Sequence, residues 1–189
     1  DDFLSANTIW IGWQNFSMFF GATNFWQLIA NTFILNILGF IIGFPLPIIV
    51  ALLLNSSINK PMSKVMQTIF IAPNFISLVV MVGILYLFFG TTGFVNNVLE
   101  SLGLERYSFF LEAGAFRPLY TLSGVWQGFG WSAIIYIAAL SGVDPQQHEA
   151  ALIDGASRLQ RIWHINIPCI LPTATILLIM NAGSLLSVG

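Results

Sequence analysis

Two groups of residues in this chain have types and spacing suited to recognition chemistry. The first is Glu149-Ala150-Ala151, then Asp154-Gly155, then Ile165 and Pro168, in a short charged interruption between two apolar runs. A carboxylate offers one directional polar contact. Two alanines leave a low profile, so another surface can approach the backbone closely. A glycine supplies the left-handed residue that ends a helix. A loop that has only to be soluble needs none of this, and the pattern reads as a surface shaped to fit another protein. Catalysis is not indicated. His148-Glu149 lacks the second histidine of a His-Glu-x-x-His zinc site, and no Gly-x-Ser-x-Gly occurs. His148 and His164 fall on separate helical stretches and suggest no metal pair. The single cysteine, Cys169, excludes an intrachain disulfide and a Cys-rich metal centre.

The second group consists of uncharged polar residues inside the apolar runs, among them Asn36, Asn74, Ser123, Gln127, Ser132 and Asn181. Polar side chains in a membrane protein face the bundle or a cavity rather than lipid. Trp126, Gln127 and Asn181 are the candidates for lining a substrate path. Amides and ring faces suit a neutral, hydroxyl-rich solute. The plainer role for any one of them is a helix-to-helix hydrogen bond. An ion or proton carrier typically places Asp, Glu or Lys in its spans, and these runs hold none.

The elements that must position these residues follow from the local pattern. Asp144 can cap the free N–H groups of a helix begun by Pro145, with Gln147 where a capping-box partner stands. Glu149 falls near the start, where the helix dipole favours negative charge. Gly155 ends that helix. A second helical stretch, Ser157 to Ile165, carries Leu159, Ile162, Trp163 and Ile165 as its apolar positions, and Pro168 and Pro172 mark re-entry into lipid. Each helix is too short to be stable alone in water, so the loop must dock on something.

The surrounding chain is a membrane protein by composition. Of its 189 residues, 57% are hydrophobic and 7% charged, against about 25% charged in soluble domains. Mean hydropathy is +0.83. A net charge of -2 leaves no basic excess for nucleic acid. Four runs are free of charge and of histidine: residues 33–55, 65–90, 119–143 and 169–189. Each is long enough to cross a bilayer, which takes about 20 residues. The expectation is an all-α, polytopic transmembrane helix bundle, a single domain over 1–189, with a loop at 144–168.

Lys60, Lys64, Arg158 and Arg161 lie in the loops after the first and third runs, whereas Arg106 and Arg117 lie between the second and third. The excess places the 144–168 loop in the cytoplasm and the N-terminus outside. Residues 1–32 hold Trp10, Trp13, Phe16, Phe19, Phe20 and Trp26, which suits either a helix on the outer membrane surface or a loop packed on other spans. The 91–118 stretch reads as a solvated external loop. Phe44-Pro45-Leu46-Pro47 and Pro73-Asn74 interrupt the first two runs. A helix broken beside a substrate path and an ordinary kink both fit them.

Glu-Ala-Ala, three residues, Gly, nine residues, then Ile-x-Ile-Pro (Glu149 to Pro168) resembles the cytoplasmic loop of binding-protein-dependent ABC importer permeases. Ile167 stands where that family usually has Leu. Gly43-Phe44-Pro45-Leu46-Pro47-Ile48, Pro73-Asn74-Phe75-Ile76-Ser77 and Gly130-Trp131-Ser132 look like the subgroup that takes up complex sugars and oligosaccharides. The resemblance implies a bacterial plasma-membrane permease, present here as four spans of a six-span protein. It implies that the 144–168 loop is a coupling helix held by cytoplasmic ABC ATPase subunits, with Glu149, Ala150, Ala151, Asp154, Gly155, Ile165 and Pro168 as its coupling residues. It further implies a second permease subunit, an extracytoplasmic solute-binding protein, and ATP bound by the ATPase partner rather than by this chain, which has no Walker A pattern. An ATP-independent secondary transporter or channel subunit is the principal alternative.

Overall fold

The structure is a computed structural model describing residues 12–183. Among the described residues every regular element is helical. A short helix α1 (Gln14–Gly21) leads into α2 (Phe25–Gly43) and α3 (Pro45–Asn55). A tight turn follows, then α4 (Lys60–Ile71), a 3-10 turn (Ala72–Phe75), α5 (Leu78–Phe89) and α6 (Phe94–Ser101). The long α7 (Ala113–Leu140) then leads to α8 (Pro145–Ile153), α9 (Arg158–Arg161), a π turn (Ile162–Asn166) and α10 (Ile167–Gly183). Trp10 and the end of the last expected run, 184–189, lie outside the described residues.

Three helical stretches, Phe25–Asn55, Leu78–Ser101 and Arg158–Gly183, are long and apolar enough to cross a membrane. The first begins at Phe25, eight residues before the expected Phe33. α7 is less apolar but has 28 residues, roughly 42 Å at 1.5 Å per residue. It touches α2, α3, α4 and α10, so protein rather than lipid surrounds much of it, and polar residues are tolerated there. Ala51, Tyr136, Leu140, Ile170 and Ala174 form the core where α3, α7 and α10 meet. Gly130 brings α7 onto α4: a Cβ there would collide with the Phe70 carbonyl. Small residues that let backbones touch are the usual means of helix association in lipid.

The two proline interruptions resolve differently. Phe44 keeps helical angles before Pro45 (φ -80°, ψ -48°), so α2 and α3 form a kinked but continuous path. Pro73 ends α4 outright. The chain passes through the 3-10 turn into extended backbone at Ile76, and Ser77 restarts the helix by accepting from Val80 N at 3.4 Å.

The 91–118 stretch is not a plain solvated loop. Asn96 is fully buried. Its Nδ2 donates to the carbonyls of Gly90 and Tyr107, both at 2.9 Å, and its Oδ1 accepts from Tyr107 N at 2.7 Å. Arg106 donates to Thr91 O and to Glu100 Oε2 at 2.7 Å. One amide and one guanidinium thus tie α6 and the following segment into a cap on α5. On the same end, Arg117 Nε donates to Asn31 Oδ1 at 3.1 Å. The α1 helix has no buried residue, and Phe19 and Phe20 pack edge-on against Phe25 at 5.1 and 5.3 Å. That geometry suits a helix lying along the interface.

Candidate functional site

At the opposite end of the bundle, the loop after α7 is built from its capping residues outward. Asp144 Oδ1 accepts from Gln146 N at 2.9 Å, with Pro145 in the first turn. The capping box does not form with Gln147. It forms one helix later, where Ser157 Oγ accepts from Gln160 N (3.3 Å) and Gln160 Oε1 accepts from Ser157 N (2.7 Å). α8 ends as a glycine should end it. Gly155 has φ +75°, its N–H reaches Leu152 O at 3.1 Å, and Ala156 N reaches Ala151 O at 2.8 Å. These two bonds are the Schellman pair, which satisfies carbonyls the helix would otherwise leave open.

The second stretch differs from the separate short helix read in the sequence. α9, the π turn and α10 run on without a break from Arg158 to Gly183. Pro168 cannot donate to the carbonyl four residues back. The chain absorbs this by widening: Ile167 N bonds Ile162 O, five residues back. A π turn keeps the helix going where an α turn would clash. Pro168 and Pro172 therefore sit inside the span, with Ile165 half-buried and Asn166 buried at its base.

The side chains of α8 divide by face. Pro145, His148 and Glu149 line a cleft of about 500 Å³ together with Lys60, Arg158 and Arg161. Ala150 and Asp154 are exposed and Ala151 is half-buried. Leu152 and Ile153 are 56% and 87% exposed. Neither was singled out in the sequence, although two large apolar residues just before a helix-ending glycine, outside any span, are a legible sign. Trp163 and Leu159 add exposed apolar surface beside them. The bundle thus presents a firmly capped knuckle with an apolar tip.

A second cleft, of about 510 Å³, opens between α2, α5, α7 and α10. Gln127 and Asn181 both line it, with Asn36, Thr121, Ser123 and Ser132. Gly39, Gly43, Gly124 and Gly128 keep it open, and Phe40, Phe44 and Phe129 supply ring faces. No Asp, Glu, Lys, Arg or His is among its lining residues. Trp126 is outside this lining and 43% exposed. Gln127 Nε2 donates to Ile76 O at 2.7 Å, bridging α7 to the break after Pro73. Thr121 is buried, and its hydroxyl has no hydrogen-bond partner among the described residues.

A helical membrane bundle with a capped, exposed loop helix and an uncharged internal cleft is the architecture of a transport permease. Residues 43–187 match the family model for the binding-protein-dependent transport system inner membrane component, and the chain belongs to that family. It is 40% identical over 181 residues to protein LplB of Bacillus subtilis (strain 168), covering 95% of this chain and 57% of that protein. It is equally 40% identical over 181 residues to the polygalacturonan/rhamnogalacturonan transport system permease protein YteP of the same organism, covering 95% of this chain and 56% of that protein. The crystal structure of a bacterial ABC transporter involved in the import of the acidic polysaccharide alginate superimposes with a TM-score of 0.90. It shares 40% identity and covers 97% of this chain and 64% of that one. The chain therefore spans a little over half the length of the curated relatives it matches.

Proposed function

We propose that this chain is the central part of the transmembrane permease subunit of an ATP-driven sugar or oligosaccharide importer in a bacterial plasma membrane. α8 is its coupling helix, on the cytoplasmic side, seated on an ABC ATPase subunit that binds the ATP. A second permease subunit completes the pathway, and an extracytoplasmic solute-binding protein delivers the solute to the end capped by α6. The observation that carries this reading is α8 itself. It is fixed at both ends by side-chain and Schellman capping, yet it presents Leu152 and Ile153 to solvent. An isolated nine-residue helix has no stability of its own in water. A rigid mount and a bare apolar tip suit transmission of force between subunits.

The charge-free cleft supports a neutral, hydroxylated stretch of substrate at this chain's wall of the path. Thr121, Gln127 and Asn181 are its polar contacts and Trp126 flanks it. The sorting of Lys60, Lys64, Arg158 and Arg161 to the α8 end supports the cytoplasmic assignment. The chain does no covalent chemistry on its cargo. ATP-dependent uptake of oligosaccharide by proteoliposomes holding the complete complex tests the reading. Uptake that persists without the ATPase subunit would favour a secondary transporter or channel instead.

A further inference from the structure

The cleft beside α8 holds three cations that the coupling reading does not use. Lys60, Arg158 and Arg161 converge on it with a single carboxylate, Glu149. Among the described residues the one ion pair within 4 Å is Arg106–Glu100, at the other end of the bundle. Two positive charges are thus left uncompensated in a pocket whose 500 Å³ falls within the range of ligand sites. Lys60 Nζ does reach one neutral partner, Asn55 O, at 3.1 Å.

Lys60 and Arg158 are exposed on this face, but Arg161 is half-buried. Arg161 Nε is buried without an acceptor, and Asn166, 3% exposed, has an Oδ1 without a donor. One unmet donor and one unmet acceptor therefore share a single wall. Asn55, Ser56, Ser57 and Ile58 at the end of α3, Leu140 and Val143 at the end of α7, and Ile162 of the π turn complete the walls. On the functional reading, the ends of these spans lie at the inner-leaflet headgroups. Pro145, His148 and Glu149 of α8 line the cleft, whereas Ala150 and Ile153 are exposed and outside its lining. An ATPase surface that meets Leu152 and Ile153 meets residues outside the cleft lining.

We propose that this cleft binds the headgroup of an anionic glycerophospholipid. The phosphate sits among Lys60, Arg158 and Arg161, a side-chain turn lets Arg161 Nε donate to it, and a free headgroup hydroxyl donates to Asn166 Oδ1. Basic pockets between spans on the cytoplasmic side are the usual place for such groups. The lipid wedges between α8 and the span ends, so membrane charge sets how stiffly the coupling helix is mounted. The inner-leaflet placement of this end and the coupling role of α8 are carried over from the functional reading.

The test is native mass spectrometry of the complete complex, purified in mixed phosphatidylglycerol and phosphatidylcholine. This readout needs no transport, so its failure is separable from failure of the importer reading. Wild type is expected to retain phosphatidylglycerol preferentially, and Arg158→Gln/Arg161→Gln to lose that preference several-fold. Lys60→Gln, at an exposed turn, should weaken it in part and guards against misassembly of the double variant. Arg106→Gln removes one charge, as Lys60→Gln does, but from the far end, and should change nothing. Undiminished retention in the double variant, or equal loss in Arg106→Gln, overturns the site. Displacement of the lipid by millimolar glycerol 1-phosphate would make the occupant a soluble phosphate ester. A zero-length crosslink from Lys60 to an ATPase carboxylate would give the cleft to that protein instead.

Discussion

Gln127 of α7 donates from Nε2 to the carbonyl of Ile76, 2.7 Å away and 51 positions earlier in the chain. Ile76 is in the extended stretch that follows the Pro73 break, and a backbone carbonyl inside a membrane must find a donor within the protein. The amide that looked like a substrate contact therefore also holds the broken helix in place. Gln127→Leu removes the donor. We expect a loss of about 0.6 kcal/mol, at most about 1.7 kcal/mol, as found for such bonds in membrane bundles. A lowered melting midpoint in detergent, with a reduced maximal uptake rate and a raised KM, is the expected pattern.

Thr121 offers the opposite case. Its buried hydroxyl is already without a partner among the described residues, and removing an unmet polar group is close to neutral or stabilising. Thr121→Val should leave the melting midpoint unchanged or raised while increasing the KM for oligosaccharide several-fold. A lowered midpoint with unchanged KM would return Thr121 to a structural role.

Asn96 closes the cap on α5 with three hydrogen bonds. Asn96→Ala strands the Gly90 and Tyr107 groups in a buried site, at about 1–3 kcal/mol for each buried group left unmet. Proteolysis between α6 and α7 should accelerate, and response to the solute-binding protein should fall, with basal ATPase activity preserved.

Gly155 has φ +75° with open space around its Cα, so the strain of a side chain is backbone strain alone. Gly155→Ala should cost about 1–2 kcal/mol and slow transport moderately. Gly155→Pro cannot take a positive φ at all, and it should block transport while leaving membrane insertion intact. Glu149→Lys adds a fourth cation to a cleft that already holds Lys60, Arg158 and Arg161, and should likewise uncouple. Normal sugar uptake by both variants in vesicles would count against the coupling role.

The helical bundle and the loop helix were legible because charge-free runs and capping residues act locally. Asp144, Pro145 and Gly155 specify α8 within a dozen residues. What was not legible depended on partners distant in sequence. The cap on α5 needs Asn96 to meet Tyr107, and the sequence shows only two polar residues in a loop. The early start of α2 goes with a bond from Asn31 to Arg117, 86 positions away. The π turn arises because Pro168 meets a helix already under way from Arg158, whereas proline by itself reads as an end. Leu152 and Ile153 carry a local sign, two large apolar residues just before a helix-ending glycine and outside any span, but their exposure is visible only in the structure.

The central claim, that α8 is the part of this chain gripped by the ATPase, is tested most directly by a cysteine at its bare tip. Ile153→Cys, in the complete permease with Cys169 replaced by Ala, should form a disulfide crosslink with a single-cysteine ATPase subunit in inside-out vesicles, and nucleotide should change its yield. Labelling of that cysteine from outside intact cells, with no crosslink to the ATPase under any nucleotide condition, would contradict the account.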